Sequence, residues 1–163
     1  MASSGLATRM RRSKATGIKR YSVLFDKRMA EDKMHGLDDK WRDTLTPEQY
    51  HVLREHGTER PGSSPLLEEH REGMFRCAAC GQELFSSDTK YESCTGWPSF
   101  FRPVEGAVGT KVDDSFLMRR TEVHCSRCGG HLGHVFPDGP EPTGLRFCMN
   151  GVALQFEPKE DGK

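Results

Sequence analysis

Two short units, Cys77-Ala-Ala-Cys80-Gly81 and Cys125-Ser-Arg-Cys128-Gly129, constrain this chain more than anything else in it. A C-x-x-C turn lets two thiolates face one ion, and the glycine after it permits the tight backbone such a turn requires. Two turns supply four sulfurs, so Cys77, Cys80, Cys125 and Cys128 are the expected ligands of one closed, tetrahedral Zn²⁺ site. The two pairs are further apart than in a small zinc ribbon, so the ion would clip together distant parts of a larger sheet. Two other arrangements compete. Disulfides are disfavoured if the chain is intracellular, and a Cys₂His₂ set of Cys125, Cys128, His131 and His134 would strand Cys77 and Cys80. A closed four-sulfur site is structural and leaves the chemistry to other residues.

A metal clip matters because the core is thin. The 163 residues suffice for one ordinary domain, but only 34% are hydrophobic, 29% are charged, and the mean hydropathy is −0.70. No apolar run approaches a membrane span, and no apolar h-region marks the N-terminus. The net charge of +0 is unevenly spread. Residues 1–25 hold six basic side chains (Arg9, Arg11, Arg12, Lys14, Lys19, Arg20) and no acid, so the remainder carries a net −6. An acidic body argues against nucleic acid as partner, because phosphate binding needs a concentrated basic surface. The acid-poor start resembles an organelle transit peptide as much as a solvated tail. Residues 1–36 are therefore read as a basic, flexible segment and residues 37–163 as the domain.

Along that domain, residues 38–57 read as helical. Thr46, Pro47 and Gln49 form an N-cap, a proline at N1 and a capping box. Tyr50, Val52 and Leu53 give an apolar face, and Gly57 is the expected stop. Residues 58–65 read as a loop rich in Pro, Gly and Ser. Short β-like runs follow at Met74–Cys77, Glu83–Phe85, Ser115–Cys125 and Leu145–Phe156. The expected fold class is mainly antiparallel β, with helices in the N-terminal third.

Removing the four ligands leaves Cys94 and Cys148. In Leu145-Arg-Phe-Cys-Met-Asn150, Leu145, Phe147 and Met149 share one face of a strand, while Arg146, Cys148 and Asn150 share the other. A fixed guanidinium beside a thiol favours the thiolate, the reactive form; the plain alternative is a small buried hydrophobe. Beyond Asn150 the apolar parity shifts to Val152, Leu154 and Phe156. Either a bulge near Gly151 or an Asn150-Gly151 hairpin turn accounts for that. Cys94 precedes Gly96-Trp97-Pro98, a tight loop carrying an aromatic. His131-Leu-Gly-His134 then leads into a turn, and histidines near cysteine equip a site for thiol chemistry.

In combination these strings are specific. The two knuckles, Gly96-Trp-Pro-Ser-Phe100, His131-Leu-Gly-His-Val-Phe-Pro-Asp-Gly-Pro140, Pro142-Thr-Gly and Arg146-Phe-Cys-Met-Asn150 occur in an order that resembles the methionine-R-sulfoxide reductase family, the SelR-like B class. The resemblance runs from about Leu45 to Pro158. It implies two small antiparallel sheets with N-terminal helices and a structural zinc away from the active site. It also implies that Cys148 is the nucleophile, attacking the sulfoxide sulfur and becoming a sulfenic acid. His131 and His134 would orient and protonate the sulfoxide oxygen, with Asp138 helping to place them. Arg146 and Asn150 would support thiolate and substrate, and Trp97 and Phe136 would line the substrate site. Cys94 is the remaining thiol for resolving the sulfenic acid as a disulfide, and thioredoxin is the implied reductant. The family pattern puts the resolving cysteine directly before Gly-Trp-Pro, where this chain has Thr95. The implied substrate is methionine-R-sulfoxide in oxidised proteins, and free methionine sulfoxide is open as a second. Nothing requires more than a monomer, and cytosol, mitochondrial matrix and plastid stroma all suit zinc thiolates. The competing functional class is a non-catalytic zinc-binding interaction module with a redox-sensing thiol.

Overall fold

A computed structural model describes residues 40–160. The basic segment 1–36 and its expected boundary lie outside the described residues. Residues 40–44 are helical, and a break at Leu45 and Thr46 separates them from helix α1 (Pro47–Glu55). The capping box forms: the Gln49 amide donates to Thr46 Oγ1 at 3.2 Å, and the Thr46 amide donates to Gln49 Oε1 at 3.1 Å. Val52 and Leu53 are buried and Tyr50 is half-buried. The expected stop at Gly57 is corrected by one residue, because His56 itself takes the left-handed cap at φ 57°. A Cβ on Gly57 would displace the exposed His51 ring from its present position, 2.3 Å away.

The described residues hold nine strands: β1 (Gly73–Cys77), β2 (Glu83–Ser86), β3 (Lys90–Tyr91), β4 (Ser99–Phe100), β5 (Val108–Asp113), β6 (Arg120–Cys125), β7 (His131–Phe136), β8 (Arg146–Met149) and β9 (Leu154–Pro158). They make two antiparallel sheets, one ordered β2-β1-β9 and the other β3-β4-β8-β7-β6-β5. The run expected over Ser115–Cys125 is a strand only from Arg120, because Ser115–Leu117 is a 3₁₀ turn. Strands β3, β4, β5 and β7 fall outside the expected runs: β3 and β4 are two residues each, β5 lacks a regular apolar face, and a glycine interrupts His131-Leu-Gly-His134.

The parity shift after Asn150 comes from neither a bulge nor a hairpin. A 3₁₀ turn at Gly151–Ala153 carries the chain from β8 in the large sheet to β9 in the small one. A strand that changes sheet buries a new face, so its apolar parity resets. Between the sheets lies an aromatic core. Phe85 of β2 stacks on Phe100 of β4 with ring centroids 4.3 Å apart, Phe75 of β1 meets Phe100 edge-on at 5.0 Å, and Phe147 of β8 lies 5.9 Å from Phe85. No helix among the described residues is long and apolar enough to cross a membrane.

Candidate active site and metal centre

The two knuckles fold alike. In the first, the Gly81 amide donates to the Cys77 carbonyl at 2.8 Å, and in the second the Gly129 amide donates to the Cys125 carbonyl at 2.9 Å. Both glycines have positive φ, 73° and 71°, as the turn demands. Cys77 Sγ lies 3.7 Å from Cys128 Sγ, and Cys80 Sγ lies 3.6 Å from Cys125 Sγ. All four sulfurs fall within 4.8 Å of one another, so the set can hold one metal ion. Cys77 sits at the end of β1 and Cys125 at the end of β6, so this cluster ties the small sheet to the large one.

Cys148 lies on β8, where the expected alternation holds within the strand, with Phe147 and Met149 buried and Arg146 and Cys148 half-buried. It fails at the ends, where Leu145 is exposed and Asn150 is buried. Register then builds a row across the large sheet. Cys148 is directly opposite Ser99 on β4 and His134 on β7, His134 is opposite Glu122 on β6, and Glu122 is opposite Lys111 on β5. Directly paired residues point to the same face, so these five side chains share one surface. Arg146, two residues from Cys148, packs its guanidinium 4.5 Å from the Phe136 ring centroid. It also donates to both carboxylate oxygens of Asp138, at 2.9 and 3.0 Å. Asp138 therefore orients Arg146, and no hydrogen bond or ion pair joins it to His131 or His134. The turn after β7 carries it past the sheet edge toward β8.

Three residues along a regular strand would turn His131 and His134 to opposite faces. A bulge removes that conflict: Val123 pairs with Gly133 and His124 with His131, which leaves Leu132 as the extra residue. Both rings then occupy one face, 5.4 Å apart. His134 Nε2 is 2.7 Å from Asp113 Oδ2, and His131 Nδ1 is 3.0 Å from Glu122 Oε1. Burial pushes the His131 pKa down further than Glu122 lifts it, so the neutral ring is favoured. Its Nε2 is buried without a hydrogen-bond partner. Asp113 is held well below the usual carboxylate range, first by Ser115 and then by His134. Sequence reading missed Asp113 and Glu122, whose relevance appears only through strand register.

Burial raises the Cys148 thiol above its ordinary value, while Arg146 and the Thr95 hydroxyl pull it down without cancelling that effect. The resting thiol is thus less acidic than a guanidinium neighbour alone implies, because β4 and β7 enclose it from both sides. Thr95 belongs to a hydroxyl chain, with Ser93 Oγ 2.8 Å from Thr95 Oγ1 and 2.7 Å from Ser99 Oγ. Cys94 is exposed, with a left-handed φ of 56°. At rest it is the Thr95 hydroxyl that lowers the Cys148 pKa from this loop, while Cys94 faces solvent.

Glu59, in the segment read only as a loop, fastens the other side of the site. Its carbonyl accepts the Trp97 indole N–H at 3.2 Å, and its amide donates to Asn150 Oδ1 at 3.0 Å. Its carboxylate accepts the amides of Gly151 and Val152 at 2.7 and 2.8 Å. Asn150 Nδ2 donates to the Leu132 carbonyl at 3.0 Å, so this buried amide locks β8 to β7 and to the Glu59 loop. Gly96 allows the two loops to approach: at φ 88°, a Cβ there would lie 2.8 Å from Pro61. A cleft of about 840 Å³ also borders Glu59, but none of Cys148, His134 and Trp97 lines it.

The model of the SelR domain matches residues 45–158, which take in both cysteine knuckles and the whole Cys148 face. The chain belongs to the methionine-R-sulfoxide reductase (SelR) family. A relative from Methanosarcina mazei, named peptide methionine sulfoxide reductase MsrB, is 58% identical over 134 residues, covering 82% of this chain and 96% of its own. One of the same name from Agrobacterium fabrum is 56% identical over 131 residues, covering 80% of this chain and 97% of its own. In this SelR domain Cys94, Cys148, Trp97 and both histidines stand on the large sheet or its loops, and the four-sulfur cluster lies at the junction of the sheets.

Proposed function

We propose that this protein reduces the R epimer of methionine sulfoxide in oxidised proteins to methionine, with Cys148 as nucleophile. The observation that most supports the reading is the register pair of Cys148 and His134 on adjacent strands, with His131 and its bare Nε2 beside them. A sulfoxide sulfur is electrophilic, but its oxygen does not leave as a dianion; the reaction needs a thiolate for sulfur and an acid for oxygen. The Cys148 thiolate attacks the sulfur, and two protons reach the oxygen, one through His134 and one through His131, whose bare Nε2 takes a proton up and passes it on. The S–O bond of the substrate breaks and its oxygen leaves as water, with Cys148 Sγ bonded to the substrate sulfur as a sulfonium. Water then attacks Sγ, the S–S bond breaks, methionine leaves, and Cys148 is left as a sulfenic acid with one proton released. Trp97 packs against the substrate methyl, Phe136 lines the site, and Arg146 stabilises the attacking thiolate. Glu122 and Asp113 hold the two imidazoles, and Asn150 keeps β8 in place.

Cys94 then condenses with the sulfenic acid, releasing water and leaving a disulfide for a dithiol such as thioredoxin. That step requires the 93–96 loop to turn about Cys94. Its left-handed backbone, which costs an L-residue roughly 1–2 kcal/mol, favours leaving the resting conformation. The metal of the four-cysteine cluster is assigned as Zn²⁺. Bonds of about 2.3 Å in a tetrahedron put sulfurs about 3.8 Å apart, close to the 3.6 and 3.7 Å separations found. Zn²⁺ held there is structural and takes no part in turnover.

The test is a single turnover of reduced, zinc-loaded protein with each epimer separately. Methionine from the R epimer alone, with two thiols lost, is the expected result. Cys148→Ser should give no methionine while keeping its zinc, and activity in that variant would refute the mechanism. Loss of one thiol instead of two would remove Cys94 as the resolving residue. No methionine from either epimer would favour a non-catalytic zinc module.

A further inference from the structure

A second set of metal-ligating side chains lies on the same sheet, apart from the cysteines. His56 Nδ1 and His131 Nδ1 stand 3.3 and 3.0 Å from one oxygen, Glu122 Oε1. Donor atoms of all three lie within 4.8 Å of one another. For bonds of about 2.0–2.2 Å to nitrogen and oxygen, tetrahedral donors stand about 3.3–3.6 Å apart, so shifts of a few tenths of an ångström about Glu122 Oε1 admit an ion. The donors are also held. His56 projects from the left-handed cap of α1 with its ring 5.3 Å from that of His131, Glu122 is 5% exposed, and His131 is 3% exposed. The Lys111 ammonium occupies the other Glu122 oxygen at 3.2 Å, leaving Oε1 as a single ligand atom. His56, 54% exposed, provides the way in from solvent.

We propose that His56, Glu122 and His131 form a binding site for a borderline divalent cation such as Zn²⁺, Co²⁺ or Ni²⁺, completed by water, and that filling it slows turnover. Two imidazoles and one carboxylate select such ions over Mg²⁺ and Ca²⁺, which take oxygen ligands. The coupling to turnover rests on the proposed reductase function; the binding does not. A carboxylate only accepts, so in the ion-free protein the His131 proton sits on Nδ1 and Nε2 is a bare lone pair. A cation on Nδ1 needs the lone pair of that nitrogen, so the ring's single N–H proton moves to Nε2, the other neutral tautomer. That nitrogen then has no lone pair with which to take up and pass on a further proton.

Co²⁺ titration of zinc-loaded protein in a Cys148→Ser background tests the binding, with bound metal measured by equilibrium dialysis. The expected result is one Co²⁺ per chain beyond the retained zinc, with d–d bands and no thiolate charge-transfer band. His56→Asn, a residue that tolerates the left-handed backbone, should weaken Co²⁺ binding by at least about tenfold, as loss of metal-site contacts does. Equal binding in that variant, no binding, or a charge-transfer band would overturn the site. With Cys148 intact, Co²⁺ should lower thioredoxin-supported turnover reversibly on chelation, and His56→Asn should be insensitive. Binding without inhibition would overturn the coupling to His131. Absence of any reductase activity would count against the proposed function and leave the dialysis result to decide the site.

Discussion

At Cys148, burial and charge act in opposite directions, and burial prevails. The thiolate fraction of the free enzyme should therefore grow as pH rises above neutrality. Alkylation of Cys148, followed as rate against pH, should climb toward alkaline pH. Arg146→Met removes a cause that lowers the pKa, so its profile should move further alkaline while the zinc content stays constant. An unchanged profile would mean that Arg146 serves only to hold Asp138 and Phe136. The alternation from Leu145 to Asn150 exposed this strand in the sequence, because period-two patterning survives wherever one face is buried. The enclosure by β4 and β7 that raises the thiol pKa was not legible, since it depends on pairing partners far along the chain.

Among the elements, the 3₁₀ turn at Gly151–Ala153 depends on a residue 92 positions away in sequence, Glu59. Glu59→Gln should replace one accepting oxygen with an amide NH₂ that only donates, leaving a half-buried N–H unpaired at a cost of about 1–3 kcal/mol. The expected outcome is a lower denaturant midpoint, together with a raised KM because Trp97 and Asn150 share the same anchor. A second prediction concerns β5 and β6. Burial pushes Glu122 up, but His131 and Lys111 outweigh it and the group ends below its ordinary pKa; Asp113 is lowered too. Groups lowered on folding stabilise above the unfolded carboxylate range, about pH 4, and lose that contribution as pH falls through their lowered values. The melting temperature of Asp113→Asn should therefore lie below wild type at pH 7, and the gap should close on acidification. A constant gap would show that the His134 and Ser115 contacts carry no linked proton.

Among the described residues, an aromatic cluster and a four-sulfur cluster both tie the small sheet to the large one. Metal binding to such thiolates is worth about 10–16 kcal/mol in small zinc domains, while a whole domain is stable by only about 5–15 kcal/mol. Chelation, or Cys77→Ser, should accordingly release the metal and abolish cooperative thermal unfolding near the wild-type temperature. Calorimetry beside elemental analysis checks this; a metal-free protein with an unchanged transition would assign the stability to the aromatic cluster alone.

Sequence alone determined what is local or compositional: the capping box at Thr46, the two knuckles, the alternation around Cys148 and the ordered motifs that place the chain in its family. Each is written in neighbouring residues whose backbone geometry or ligand chemistry admits few alternatives. Tertiary structure decided which strands pair. It brought Asp113 to His134 and Glu122 to His131, set Thr95 against Cys148, and made Glu59 an anchor for two loops and a turn. It also put His131 and His134 on one face, through a bulge whose position no strand pattern predicts. These contacts depend on register between segments distant in sequence, and register follows from how two whole sheets bury their faces against each other.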